Sequence, residues 1–213
     1  MRAALFDLDG TLADTMPVCF AAFREVFREE LGVDLDNDAI AIHFGPSEEG
    51  VLRKVLGLDR EAAATERYLE RYARLHRDVP GLFPGMERVL QRCADMGLRR
   101  GIVTGKGPRS ARISADQLGL DAHFEVIEAG SPEGWSKVER LRHILDAWGI
   151  DAGAGFYVGD HPSDVRAARE LGLHAISVAW CPLADVEALR RAEPDALLTR
   201  PEDLLAWLDE LRA

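Results

Sequence analysis

The chain's patterning predicts an α/β fold: a parallel sheet with helices on both faces, and an all-helical lobe inserted after the first strand. Two observations carry the prediction. From Pro84 onward, short β-branched runs alternate with helical segments that stop at glycines, and strands alternating with helices build parallel sheets. Between about Pro17 and Asp78 the rhythm is helical throughout, so the apolar run Arg2 to Phe6 is cut off from its partner strands by an insertion. The boundaries expected are residues 1–15 and 81–213 for the sheet-bearing core and 16–80 for the lobe. A chain of 213 residues with 47% apolar content can bury one substantial core and a smaller one beside it.

In the lobe, PVCFAAFREVFREELG has apolar residues at helical spacing and ends on Gly32. PSEEGVLRKVLG and REAAATERYLERYARLHRD read as two further helices separated by Gly57. In the core, GMERVLQRCADMG is a helix closed by Gly97, and RRGIV is a strand ending at Thr104. A helix over Arg109 to Leu118, a strand in FEVIEAG and a helix over Lys137 to Trp148 follow. GFYVGD, PSDVRAARELG, HAISV and PEDLLAWLDELR complete the alternation as strand, helix, strand and helix.

The formal charge is −11, from 26 basic against 37 acidic side chains. That sign repels nucleic-acid phosphates and anionic lipid, so neither is expected as a partner. It also repels a small phosphorylated metabolite unless a local cation reverses the field at its site. Cys19, Cys93 and Cys181 lie far apart with no CxxC pair, which reads as buried thiols in a reducing compartment. The first apolar stretch, Ala3 to Phe6, is too short for a signal peptide, and nothing approaches a membrane span. A cytoplasmic protein, monomer or homodimer, is the expectation.

In parallel α/β sheets ligands bind at the carboxyl ends of the strands, near the point where the winding reverses. The polar residues found after the expected strands are Asp7 and Asp9, then Thr104 and Lys106, then Lys137, then Asp160 and Asp164. Carboxylates gathered at one point repel each other unless a cation sits among them, and oxygen-only donors suit magnesium. Lysine and a hydroxyl as donors to phosphate oxygens complete a site suited to phosphoryl transfer.

FDLDGTLADT, IVTGK, Lys137 and YVGDHPSD, in that order, resemble the four motifs of the haloacid dehalogenase-like hydrolase superfamily, in its helical-cap branch. The similarity runs nearly end to end, and PGMERVLQRCADMGLRRGIVTGK resembles phosphoglycolate phosphatase and pyrophosphatase relatives in particular. The resemblance implies a Rossmann-like core and a magnesium-dependent phosphatase working through an aspartyl-phosphate, with a phosphoglycolate-like substrate. It implies Asp7 as nucleophile, Asp9 as general acid and base, and Lys137 as the cation that lets Asp7 approach a phosphate. Asp7, Asp160, Asp164 and the backbone carbonyl of Asp9 would hold the metal. Asp7, Asp9, Gly10, Thr104, Gly105 and Lys137 would contact the phosphate.

Residues two apart on an extended strand share a side, so Asp7 and Asp9 can face one phosphate while Leu8 turns into the packing. Gly10 lets the backbone turn and approach closely. Gly105 stands where relatives carry asparagine. Lys106 fits either a phosphate contact or a solvated lysine, and His161 either a neutral neighbour of the metal site or an exposed side chain. In the lobe, which should close over the site, His43, Gly45, Arg53 and Lys54 are the candidate contacts. A phosphosugar mutase, a pyrophosphatase and a non-catalytic binding protein are the alternatives. Thr11 stands where mutases commonly carry an apolar residue, a dehalogenase would lack Asp9, and a binding protein would be expected to lose Asp7 or Lys137.

Overall fold

Ala3 and Leu5 face one way along the first strand and Ala4 and Phe6 the other, and all four are fully buried. A strand buried on both faces belongs inside a sheet, and β1 (Ala3–Phe6) takes that place. The computed structural model describes residues 1–134 and 136–211. In it β1 is joined by β2 (Arg99–Val103), β3 (Val126–Glu128), β4 (Gly155–Gly159), β5 (His174–Val178) and β6 (Ala196–Leu198). The order is β3-β2-β1-β4-β5-β6, and every pairing is parallel. The winding reverses between β1 and β4, so the switch point lies beside Asp7.

The alternation along the strands sorts the core into two layers. Ala4, Phe6, Ile102, Phe156, Val158 and Ile176 pack against α5 (Met86–Asp95) and α10 (Pro201–Glu210). On the other face Ala3, Leu5, Val103, Tyr157 and Ala175 pack against α7 (Lys137–Trp148) and α8 (Pro162–Leu171). Phe6 meets Phe124 and Phe156 edge-on, with ring centroids 5.8 and 6.2 Å away.

The helical cap comprises α1 (Met16–Leu31), α2 (Asn37–Ala41), α3 (Glu48–Leu56) and α4 (Leu58–His76), with an apolar cluster of its own centred on Phe23, Phe27, Tyr68 and Tyr72. Pro17 stands in the first turn of α1, where a missing N–H costs nothing, and Gly32 ends the helix in the left-handed conformation at φ 69°. The cap rests on the core through α4, which lies along α6 (Pro108–Leu118).

Besides two single-turn 3-10 helices, two α-helices and one strand lie where the sequence pattern assigned none: α2, α9 (Val186–Arg191) and β6. Both α-helices are too short for a helical period to register, and each starts at an aspartate cap: Asp36 accepts from the Ala39 amide and Asp185 from the Ala188 amide. The edge strand β6 has only half-buried residues, held by an exchange at its start in which Asp195 donates to the Ala175 carbonyl and accepts from the Ala175 amide. Arg212, included in the closing helix expected from sequence, lies outside the described residues, as does Trp135. Among the described residues the three cysteines are free and buried, and no helix is long and apolar enough to cross a membrane.

Candidate active site

Asp7 follows β1 directly, its amide still donating to the Val158 carbonyl of β4 at 2.8 Å. Its Oδ1 accepts from the Leu8 amide at 2.8 Å and its Oδ2 from the Lys137 ammonium at 2.6 Å. Lys137 is the first residue of α7, and the helix start that places it is a capping box: the Ser136 hydroxyl accepts from the Glu139 amide and the Glu139 carboxylate from the Ser136 amide. The same ammonium donates to Asp164, which lies in the first turn of α8. Asp164 in turn accepts from the His161 amide at 2.9 Å, and the exposed His161 caps α8 by accepting from the Ser163 amide. Thus two helix starts and one strand end converge.

Asp160, at the end of β4, closes the group. Its Oδ1 accepts from the Thr11 hydroxyl at 3.1 Å. Its carboxyl lies so close to Gly10 (φ 75°) that a Cβ there would collide with it. Gly159 has the same relation to Asp164. These two glycines are therefore the gaps that let three carboxylates approach. Asp7, Asp160 and Asp164 each present an oxygen within 4.8 Å of the others.

Burial, opposed by Lys137 and reinforced by Asp164, pushes the Asp7 carboxyl up to about 6. Burial, then the charges of Asp7 and Asp164, push Asp160 up to about 8. Three acids against one lysine leave an excess of two negative charges when all are ionised. A hard divalent cation matches both that charge and the all-oxygen donor set.

Thr104 follows β2 and is fully buried. Its hydroxyl oxygen accepts from the Lys106 amide at 3.2 Å and its carbonyl from Arg140 at 2.7 Å, which fixes the loop that starts α6. Gly105 is exposed, and nothing lies within 4 Å of where its Cβ would be, so the position is open rather than sterically reserved for glycine.

Lys106 is neither solvated nor beside Asp7. Its side chain is 3% exposed, with the ammonium 3.2 Å from Asp9 and 3.6 Å from Glu48 of the cap. Asp9 itself accepts from the Thr15 hydroxyl and is not one of the three carboxylates gathered with Asp7. Glu48 was invisible to sequence reasoning because an acid in the first turn of a helix is the ordinary complement to its dipole. Of the lobe candidates, Arg53 is turned to Glu61 at 2.6 Å, Lys54 and Gly45 are exposed and His43 is half-buried.

A family model described as haloacid dehalogenase-like hydrolase matches residues 4–178. A phosphoglycolate phosphatase of Synechococcus elongatus is 34% identical over 215 residues, covering 99% of each chain. A putative pyrophosphatase of Clostridium perfringens is 25% identical over the whole of both chains. Among solved structures, a haloacid dehalogenase-like hydrolase from Streptococcus pneumoniae superposes with a TM-score of 0.79 at 28% identity, covering 97% of this chain and 98% of its own. With three carboxylates at the switch point, and with the four motifs in order at three strand ends and one helix start, the chain belongs to the haloacid dehalogenase-like hydrolases.

Proposed function

We propose that the protein is a magnesium-dependent phosphatase that hydrolyses a small phosphomonoester through an aspartyl-phosphate on Asp7. The single observation that carries this reading is the Asp7, Asp160 and Asp164 cluster with Lys137 bound into it at 2.6 Å from Asp7. Asp7, Asp160 and Asp164 would hold the metal with the Asp9 carbonyl, and when bound it supplies charge neutralisation for phosphate oxygens entering an acidic site.

The residues of the chain divide the remaining work. Asp7, raised to about 6, is still mostly ionised at neutral pH and needs no activating base. Its carboxylate oxygen forms a bond to phosphorus as the bond to the leaving oxygen breaks. Asp9 gives its proton to that oxygen, then takes one from the water that attacks the phosphoryl group, and Asp7 is released unchanged with inorganic phosphate. Lys137 lowers the repulsion between Asp7 and the incoming phosphate, and Thr104 with the Gly105 amide receives its oxygens. The end-to-end likeness to a phosphoglycolate phosphatase supports a small phosphorylated acid as substrate.

Phosphate release from phosphoglycolate, glycerol phosphates, hexose phosphates and pyrophosphate, each with magnesium or with EDTA, tests the proposal. The expected outcome is release from phosphoglycolate that EDTA abolishes and magnesium restores. Full activity in EDTA contradicts the metal assignment, and release from pyrophosphate alone contradicts the substrate class.

A further inference from the structure

Lys106 is a buried cation that the strand-end chemistry leaves unused. A buried ammonium persists only where its charge is matched by well-placed partners. Two carboxylates from different parts of the molecule match it: Asp9 after β1 at 3.2 Å, and Glu48 at the start of cap helix α3 at 3.6 Å. The ring of Tyr72, on cap helix α4, lies 4.3 Å from the ammonium.

Glu48 is itself seated on the core. Its carboxylate accepts from the Gly107 amide at 2.6 Å and from the Ser110 hydroxyl at 2.7 Å, both at the beginning of core helix α6. A cap side chain thus accepts from donors at a core helix start, while the next residue, Glu49, accepts from the Ser47 hydroxyl of its own lobe. Four residues further along α6, Ser114 meets the Tyr72 hydroxyl at 2.9 Å, so the seam continues as α4 lies on α6.

We infer that Glu48 is a positioning residue that couples seating of the cap to the orientation of Asp9. The inference rests on the phosphatase reading, with Asp9 as the proton donor to the leaving group. Asp9 Oδ1 receives two donors, the Thr15 hydroxyl and the Lys106 ammonium. With Glu48 in its seat the ammonium is shared, and the Asp9 carboxyl stays over the end of β1. Without the Glu48 charge, Lys106 has Asp9 as its remaining close carboxylate and draws it toward the cap, away from the leaving oxygen. Because Glu48 travels with the cap, Asp9 is aligned only when the cap is seated.

Glu48→Gln tests this, since it keeps the size of the side chain, an oxygen for the Gly107 amide and an NH2 that the Ser110 hydroxyl oxygen can accept from, but removes the charge. The measurement is kcat and KM for an alkyl phosphomonoester and for p-nitrophenyl phosphate, whose leaving group hardly needs a proton. The expected result is a loss in kcat of about tenfold or more on the alkyl ester, a loss under about threefold on p-nitrophenyl phosphate, and no further loss when Glu48→Gln is added to Asp9→Asn. Glu48→Asp, which keeps the charge, recovers part of the alkyl-ester rate. Equal losses on both substrates, an unchanged alkyl-ester rate, or additivity with Asp9→Asn overturns the inference and leaves the phosphatase reading standing. Wild-type protein that releases phosphate from neither substrate overturns both.

Discussion

The cluster around Asp7 sets three carboxylates against one lysine, which is ion-paired with two of them, Asp7 and Asp164, whereas the cluster around Lys106, whose Asp9 is separated from Asp7 along the chain by Leu8 alone, sets two carboxylates against one lysine. Leu8 is 1% exposed and turns into the core beneath them. At the seam, Glu48 takes an amide and a hydroxyl donor besides Lys106, so the protein's own groups answer its charge. At the strand ends the one side-chain donor to the Asp160 carboxyl among the described residues is the Thr11 hydroxyl, and that carboxyl is pushed up to about 8. A cluster satisfied from within is a joint between cap and core. A cluster left with surplus negative charge is a place for a cation and, through it, for a phosphate. The difference between a joint and a site thus lies in the balance of donors, not in the number of acids.

Breaking the seam cluster at its core end is expected to slow the reaction of an alkyl ester sharply. Asp9→Asn keeps the backbone that would contact a metal and leaves Asp7 untouched, but removes the proposed proton donor. The rate of the phosphorylation step on an alkyl ester should fall by about 10²–10⁴-fold. On p-nitrophenyl phosphate the same variant should lose far less, as rapid quench would show. Equal losses on both substrates would make Asp9 a structural residue of the strand end.

The strand-end cluster can be probed without any substrate. A carboxyl whose pKa is raised in the folded state holds its proton longer there than in the unfolded chain. The folded state then binds more protons, and stability is lost as pH rises from the unfolded value through the folded one. For Asp7 and Asp160 that window runs from 3.8 to about 6 and about 8 respectively. Metal-free protein should therefore lose on the order of a few kcal/mol between about pH 4 and about pH 8 by thermal or urea unfolding. Magnesium should raise the midpoint at the upper end of that range and flatten the slope. A metal-free midpoint that rises over the same range would mean that the three carboxylates carry no surplus charge.

The two clusters were not equally legible in the sequence. Asp7, Asp160 and Asp164 follow strands or open a helix, and a helix start also fixes Lys137, so strand-and-helix rhythm placed all four, with Asp9, Thr104 and Lys106, at one end of the sheet, and the family resemblance separated their roles. The glycines Gly10 and Gly159 that admit the carboxylates stand beside them in the same motifs. Glu48 and the buried state of Lys106 depend instead on how one lobe lies on another, and no local period records that. Arg53 drew attention as a cation in the lobe, yet Glu61, eight residues on, answers it within the cap itself. The edge strand β6 escaped for a related reason: a three-residue strand is held by its ladder with β5 and by Asp195, neither of which leaves an alternating pattern to read.

The most direct test of the account is to look for phosphate on Asp7. The protein is mixed with magnesium and phosphoglycolate, quenched in acid within milliseconds, digested and analysed by mass spectrometry. The account predicts a hydroxylamine-labile phosphoryl group on the peptide carrying Asp7, and neither label nor turnover in Asp7→Asn. Steady phosphate release with no label on that peptide, or an Asp7→Asn variant that still turns over, would contradict it.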